Sequence, residues 1–246
     1  MKVVYGEATA FKSLIEALSK LVDEALIKFT SDGMILKALD PARVSLISIT
    51  IPPSAFEEYN VEEEGRFGFN TTNLLKIIKR AKKGEALEIN ILEDKVELVF
   101  RGTTTKRFRF LNLDVAEVEV PEASLEFKVH ASLISDPLKN AIKDAETIGD
   151  AVEFQAENEN ELIIRGLGGE SVTETRISRE SGALISLSVE EPSKSSYAIE
   201  HLKAVLALTK VADTVEVQFS SGMPLKLDFN LSPEGKVEFL LAPKIE

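Results

Sequence analysis

The sequence predicts an α+β protein of two similar domains, each with two helices packed on antiparallel sheets. Three observations carry that expectation. An acidic residue followed by a small and then an aliphatic one opens a strand just after a helix four times, at Glu24-Ala25-Leu26, Glu85-Ala86-Leu87, Asp150-Ala151-Val152 and Asp213-Thr214-Val215. The intervals from Ala25 to Ala86, Ala151 and Thr214 are 61, 65 and 63 residues, too regular for chance and too long for a common solenoid unit. Each copy reads as a helix followed by strands, the order that places helices on one side of antiparallel sheets. Finally, Asn112 to Glu122 divides the chain near its midpoint. Its valines alternate with acids from Val115, but Pro121 closes it and no turn returns it to a partner strand. It therefore reads as an acidic connector with an apolar edge at Leu113, Val115, Val118 and Val120, between domains at 1–111 and 123–246.

In order, Thr9 to Val22 is the first helix, with Thr9 as cap and Phe11, Leu14, Ile15, Leu18 and Leu21 at helical spacing. Ala25 to Phe29 and Met34 to Leu39 form a hairpin through Thr30-Ser31-Asp32-Gly33. Val44 to Ile51 is a β-branched strand that Pro52-Pro53 stops. Thr71 to Lys83 is the second helix, with Leu74, Leu75, Ile78 and Ala81 on one face. Glu85 to Leu92, Lys95 to Phe100 and Thr103 to Leu111 follow as strands. After the connector come a strand at Leu125 to Val129 and a helix from about Ser132 to Thr147. Asp150 to Ala156 pairs with Leu162 to Gly166 across an Asn/Glu turn. The last copy is a helix from about Tyr197 to Val211, then Thr214 to Phe219 and Leu225 to Leu231 across Ser220-Ser221-Gly222.

A chain of 246 residues with 44% hydrophobic content buries a sizeable core. The absence of cysteine excludes disulfides, thiolate metal sites and cysteine nucleophiles, and fits a reducing interior. No run of about 18 apolar residues occurs and Met1 to Glu7 is not a leader, so the reading is a soluble intracellular protein without membrane contact. Abundant Glu and Lys without Cys or Trp also suits heat adaptation.

A formal charge of -12 argues against nucleic acid until its distribution is counted. Thr9 to Val22 carries +1, Thr71 to Lys83 carries +5, Ser132 to Thr147 carries -1 and Tyr197 to Val211 carries +1. The helices together hold +6, so the remainder holds -18. For a single helix the plain reading is a solvated face. Thr71 to Lys83 departs from it, with five cations and no acid. No arginine-rich or aromatic base-reading set accompanies it, so the contacts expected are with phosphates, non-specific and salt-sensitive.

Several stretches together resemble sliding clamps of the proliferating cell nuclear antigen (PCNA) family, over essentially the full length. They are Leu14-Ile15-Glu16-Ala17-Leu18, Asp32-Gly33, Leu39-Asp40-Pro41 with Arg43-Val44, Leu113-Asp114-Val115 with Pro121, Ile148-Gly149-Asp150-Ala151-Val152 and the terminal Leu241-Ala242-Pro243-Lys244-Ile245-Glu246. The resemblance, closest to archaeal members, implies the DNA clamp fold. Three subunits would close head to tail into a pseudo-sixfold ring whose helices line a hole for duplex DNA. Edge strands at Thr105 to Leu111 and about Ser171 to Ile177 would make the subunit interface, through Lys106, Arg107, Phe108, Arg109 and Phe110 on one and Val172, Glu174, Arg176 and Ile177 on the other. Strand pairing there would also remove exposed edges.

The resemblance further assigns a client-peptide pocket to Leu39, Arg43, Val44, Leu46, Val118, Val120, Pro121, Pro224, Leu240, Ala242 and Pro243, where a short helical turn with aliphatic and aromatic side chains inserts. Read alone, Leu39, Val44 and Leu46 are equally plain core, and the tail is disorder. The DNA-facing cations by the same match are Lys12, Lys76, Lys79 and Lys143, with Lys20, Arg80, Lys83, Lys139, Lys203 and Lys210 beside them. Glu200 sits near a position often basic, and Leu240 replaces a common aromatic. The implied partners are duplex DNA, other clamp subunits in a homotrimer or heterotrimer, and DNA polymerase, clamp loader, flap endonuclease and DNA ligase through PCNA-interacting peptides. The implied role is replication and repair as a processivity factor, in the cytoplasm around the nucleoid if archaeal or the nucleus if eukaryotic. No cofactor or metal is implied.

Two rival classes stand beside this. A checkpoint-type clamp would share the fold and differ in clients. An enzyme would need a constellation that is missing: His130 and His201 lack a neighbouring triad pattern, and Gly166-Leu167-Gly168-Gly169 lacks the lysine and helix of a phosphate loop, which makes it a turn between strands.

Overall fold

The computed structural model describes residues 1–120 and 124–244. Its contacts form two units. The first takes Met1–Pro41, Ile47–Glu119 and Leu231–Val237; the second takes Ala42–Leu46, Val120–Asn230 and the chain from Glu238 on.

The first unit runs β1 (Lys2–Tyr5), α1 (Ala8–Leu18), β2 (Glu24–Thr30), β3 (Gly33–Leu39), β4 (Ser45–Ile51, most of it), a 3-10 turn at Pro53–Ala55, β5 (Glu58–Asn60), β6 (Gly65–Asn70), α2 (Thr71–Ile78), β7 (Ala86–Ile91), β8 (Lys95–Arg101) and β9 (Thr105–Leu111). Its strands lie in the orders β5-β1-β7-β8-β9 and β6-β2-β3-β4. The second unit runs β10 (Val129–Ile134), α3 (Ser135–Glu146), β11 (Ala151–Ala156), β12 (Glu161–Gly168), β13 (Ser171–Ser178), β14 (Leu184–Val189), β15 (Ser193–Ala198), α4 (Ile199–Val205), a 3-10 turn at Leu206–Lys210, β16 (Thr214–Phe219), β17 (Leu225–Asn230) and the later part of β18 (Lys236–Leu241). Its orders are β15-β11-β12-β13 and β14-β10-β16-β17. Strand for strand these repeat β6-β2-β3-β4 and β5-β1-β7-β8, so two domains of one architecture are present.

Three of the four motif acids, Glu85, Asp150 and Asp213, have a physical role in this plan, and in the first copy Asp23, one residue before the motif, takes it. The backbone N–H that opens each helix donates to the carbonyl of the acidic residue just before the strand that follows the other helix of its unit. Ala8 bonds Glu85 at 2.8 Å, Thr71 bonds Asp23, Ser135 bonds Asp213 and Ile199 bonds Asp150, each at 2.9 Å. One orphan donor per helix start is thereby satisfied, and the two halves of each unit are locked reciprocally. Beneath, Phe11, Leu14, Ile15 and Leu18 of α1 with Leu74 and Ile78 of α2 are 2% exposed or less, as are Leu138, Ile142, Leu202 and Val205 in the second unit.

All four helices are shorter than their periodicity predicts. Glu7 caps α1, its carboxylate accepting from the Thr9 N–H at 3.3 Å, and Lys20 lies past the last helical residue. Asn70 caps α2 through the Asn73 N–H at 2.9 Å. That helix stops at Ile78 because the Arg80 and Ala81 amides turn back to Ile77 and Ile78, while the Glu85 carboxylate takes the Lys82 amide at 2.8 Å. Only Lys76 of its five predicted cations is helical. Ser132 and Leu133 stay in β10, paired with Glu216 and Val215, so α3 starts at Ser135 and the strand foreseen at Leu125 to Val129 begins where it should have ended. Tyr197 sits in β15 opposite Val152, and α4 tightens into a 3-10 turn after Val205. Strands β1, β5, β6, β14, β15 and β18 escaped the periodicity reading. β1 and β5 are short, Ser193–Ala198 is polar and Gly65–Asn70 contains two glycines, whereas β14 and β18 are six-residue strands of ordinary apolar content that the reading passed over.

Candidate functional site

The described part of the connector docks on the first unit by specific bonds. The Asn112 side chain imitates a strand: its Oδ1 accepts from the Gly68 N–H at 2.9 Å and its Nδ2 donates to the Arg66 carbonyl at 2.8 Å. The Leu113 N–H then donates to the Gly68 carbonyl at 3.0 Å. Gly68 is required by this approach, because a Cβ there would stand 2.0 Å from the Leu113 oxygen. Further on, Glu117 accepts from Lys28 at 3.0 Å and from Arg66 at 2.5 Å. These two bonds, that from Lys28 first, hold its carboxyl below the usual carboxylate range.

Beneath Glu117 and Val118 is a cavity of about 230 Å³, lined also by Leu26, Lys28, Ile35 and Lys37. Of the pocket residues assigned from sequence, Val118 lines it and Leu39, half-buried, belongs to the same unit without reaching it. Leu26, Lys28, Ile35, Lys37 and Glu117 were missed. A signal existed: Ala25, Leu26 and Ile27 are consecutive apolar residues and all are buried, so β2 is apolar on both faces and its second face needs a cover.

In the second unit Val44, Ala242 and Pro243 line one cavity of about 450 Å³, together with Ala42, Asp150, Ala198, Glu200, His201, Leu241 and Lys244. The Ala242 N–H bonds the Val44 carbonyl at 2.8 Å, and Lys244 is tied down twice, its N–H to the Ser196 carbonyl at 2.7 Å and its Nζ to Asp150 at 3.0 Å. That Lys244 bond depresses the Asp150 pKa. Leu46, Val120, Pro224 and Leu240 are half-buried outside this cavity, and Arg43 is exposed with φ 59°. Pro121 lies outside the described residues.

The helix-side cations fall into two groups. In the first unit Lys12, Lys20, Lys76, Lys79 and Arg80 make no ion pair among the described residues. Lys83 lends positive potential to Glu7. The loop after α2 is held by Lys106, whose Nζ donates to the Arg80 carbonyl and to Glu85, both at 2.8 Å; this bond to Lys106 is the first cause of the lowered Glu85 pKa. In the second unit Lys143 is likewise without an ion pair, but Lys139 is engaged by Asp136 and Lys203 by Glu146. Lys210 lies in the 3-10 turn after α4.

Strands β9 and β13 each end a sheet. On β9, Arg107 and Arg109 are exposed, and Lys106, Phe108 and Phe110 are half-buried; Arg109 bonds Glu97 at 2.6 Å, the first cause of that carboxyl's lowered pKa. On β13, Val172, Glu174 and Arg176 are exposed, and Glu174 accepts from Arg165 and Arg176, each at 2.7 Å. Ile177 is 2% exposed, so it faces its own core and offers no surface contact. Of Gly166 to Gly169, read as a turn, the first three residues belong to β12, and Gly169, at φ 58°, turns β12 into β13 in the left-handed conformation that favours glycine. The His130 ring Nε2 is 2.9 Å from the Phe127 carbonyl, and both histidines belong to the second unit. No metal-binding cluster and no helix long and apolar enough to cross a membrane occur among the described residues.

Two units of one strand order, an extended connector docked on a strand face, and helix-side cations set against an acidic remainder define a clamp-type subunit. The family model for the proliferating cell nuclear antigen N-terminal domain matches residues 1–124, and that for the C-terminal domain residues 120–244. DNA polymerase sliding clamp 1 of Aeropyrum pernix is 43% identical over 96% of this chain and 97% of its own. DNA polymerase sliding clamp 1 of Sulfolobus acidocaldarius is 39% identical over the full length of both. Among solved structures, a chain of the PCNA2-PCNA3 complex from Sulfolobus tokodaii superposes with a TM-score of 0.94 at 31% identity over all of both chains. PCNA from Thermococcus kodakaraensis gives 0.92 at 30% identity over 99% of each. The chain belongs to the proliferating cell nuclear antigen family of sliding clamps. That family is non-catalytic, and no reaction is assigned to the chain.

Proposed function

We propose that this chain is a DNA sliding clamp that makes a replicative polymerase processive by encircling duplex DNA as a ring of three subunits. The observation that carries the reading is the match of both clamp domains over the whole chain to proteins named DNA polymerase sliding clamps. Those names also favour a replicative over a checkpoint role. Topology takes the place of affinity: a closed ring needs only weak, sequence-independent phosphate contacts, and the tether raises the local concentration of its clients at DNA. Lys12, Lys76, Lys79, Arg80 and Lys143, without an ion pair among the described residues, are the leading phosphate contacts; Lys139 and Lys203 contribute less because their charge is met by Asp136 and Glu146.

Two surfaces are assigned to client peptides. One is the cavity in the first unit whose apolar wall is Leu26, Ile35 and Val118 and whose charged rim is Lys28, Lys37 and Glu117, and the other is the cavity at Val44, Ala242 and Pro243 in the second. DNA polymerase, clamp loader, flap endonuclease and DNA ligase are the proposed clients, and the nucleoid the proposed location. The test is primer extension on a primed single-stranded circle by an archaeal family polymerase with clamp loader. The chain lengthens the products made in one binding event; unchanged product length refutes the proposal.

A further inference from the structure

The sheet face that the connector crosses in the first unit is patterned in charge as well as in apolarity. β2 pairs with β3 so that Lys28 lies opposite Ile35, and with β6 so that Lys28 lies opposite Arg66 and Leu26 opposite Gly68. Alternate residues of a strand share a face, so Lys37, two residues along β3 from Ile35, joins them. That face therefore carries three cations, Lys28, Arg66 and Lys37, beside an apolar centre at Leu26 and Ile35.

Two of the three are met within the unit. Glu117 lies 3.0 Å from Lys28 and 2.5 Å from Arg66, and Glu64 lies 3.8 Å from Lys28 and 3.7 Å from Arg66. Two carboxylates and two cations thus form a set of no net charge. Lys37 stands outside it: exposed and without an ion pair among the described residues, it lines the same cavity as Leu26, Ile35 and Val118. With Lys28 and Lys37 against Glu117, that cavity of about 230 Å³ is lined by one more cation than acid, in a chain whose formal charge is -12.

From this we infer that Lys37 selects clients: the segment that enters this cavity is an extended peptide with an aliphatic side chain on Leu26, Ile35 and Val118 and, two residues from it, a carboxylate on Lys37. The inference rests on the client reading above and adds the chemistry of the client. Residues two apart on an extended chain lie about 6.6–6.8 Å apart on one face. Ile35 and Lys37 have that separation along β3, so an aliphatic residue over Ile35 brings the side chain two positions away to the Lys37 ammonium.

Other occupants suit the face less well. A nucleic acid strand brings a run of phosphates and needs several cations to neutralise it, whereas the connector adds like charge at Asp114, Glu117 and Glu119. A basic segment is repelled by Lys37 and finds Glu117 already engaged by Lys28 and Arg66. A wholly apolar segment fills the cavity and gains nothing from Lys37.

Fluorescence anisotropy with the full chain tests this. The probe is a fluorescein-labelled PCNA-interacting peptide of an archaeal DNA polymerase, joined through a flexible Gly-Ser linker to Glu-Ser-Leu-Ser-Glu, which sets an acid two residues from the leucine whichever way the segment runs. Control probes carry Gln-Ser-Leu-Ser-Gln or Lys-Ser-Leu-Ser-Lys instead. The glutamate probe should bind about 2- to 5-fold more tightly than the glutamine probe, the range of an exposed ion pair, and the difference should shrink as salt rises. Lys37→Met, which keeps the stem and removes the charge, should make the two equal, and Lys37→Glu should reverse the order so that the lysine probe binds best. Val118 methyl resonances should shift on addition of the glutamate probe, which locates the segment at this cavity.

Equal binding of the three probes by the native chain, a preference for the lysine probe, or a glutamate preference that survives Lys37→Met overturns the inference while the polymerase peptide still binds. A glutamate preference with unmoved Val118 resonances places the contact elsewhere and overturns it as well. Failure of even the unextended polymerase peptide to bind overturns the client reading, and the inference with it.

Discussion

Replacing Asn112 with Ala removes the two bonds by which the connector imitates a strand, those to the Gly68 N–H and the Arg66 carbonyl. A net hydrogen bond is worth about 1 kcal/mol, so the pair contributes about 2 kcal/mol if neither partner is rehydrated, and about 1 kcal/mol once water reaches the half-buried site. Each 1.4 kcal/mol is tenfold in an opening equilibrium, so the Gly68 and Leu113 amides should exchange about 5- to 30-fold faster. Amide hydrogen exchange measures this residue by residue. The Ile27 amide, in the interior of β2, serves as the internal reference and should not change. Unaltered exchange at Gly68 and Leu113 would show that Asn112 does not hold the connector. Acceleration at Ile27 as well would show that the substitution damages the unit rather than undocking the strap.

Three further outcomes are expected. Changing Lys76, Lys79 and Arg80 to Ala weakens DNA retention and lowers the slope of log affinity against log salt by up to about 3, while client-peptide binding, read by calorimetry, is unchanged; equal loss of both refutes the division of labour. Because bonds from Lys28 and Arg66 hold the Glu117 carboxyl below its ordinary range, connector docking is stabilised at pH above that range and weakens as pH falls through the depressed pKa. The protection factor of the Leu113 amide, its exchange corrected for the intrinsic pH dependence of amide exchange, should therefore fall on acidification in the native chain and be flat with pH in Glu117→Gln, and a shared pH profile would refute the latch. Val118→Asp with Val120→Asp should abolish client-peptide binding without lowering the melting temperature by more than a few degrees, and retained binding would reduce the connector to a linker.

The two-domain plan was legible because it is written locally and repeatedly. An acidic residue before each strand and a 3.6-residue apolar stripe before each acid recur at near-equal spacing, and both reflect backbone and burial requirements that neighbouring residues satisfy. The connector was legible for a related reason, since Pro121 and unpaired alternation mark a segment without a hairpin partner. The helix ends were less so. Lys79 to Lys83 continues the helical composition of α2, but Lys106, 26 residues beyond Arg80, and the nearby Glu85 carboxylate capture its backbone. Likewise Ser132 and Leu133 fit a helix start until pairing with β16 claims them.

For the candidate site, the sequence determined which residue types are present: a basic helix-side set, an apolar connector edge and strands with charged, amphipathic faces. Their meaning was decided by tertiary structure. Val118 lies over Leu26 and Ile35 because β2 is apolar on both faces; the run Ala25 to Ile27 shows that both need a cover, and only the fold shows that Val118 covers one of them. Lys139 and Lys203 count for less than Lys76 because Asp136 and Glu146 lie within reach of them. Strands β9 and β13 each end a sheet, which only the strand order reveals. Composition and periodicity record what each residue prefers, whereas charge compensation, edge exposure and cavity lining are properties of pairs brought together from far apart in the chain. That is why the architecture could be read from the sequence and the working surfaces required the fold.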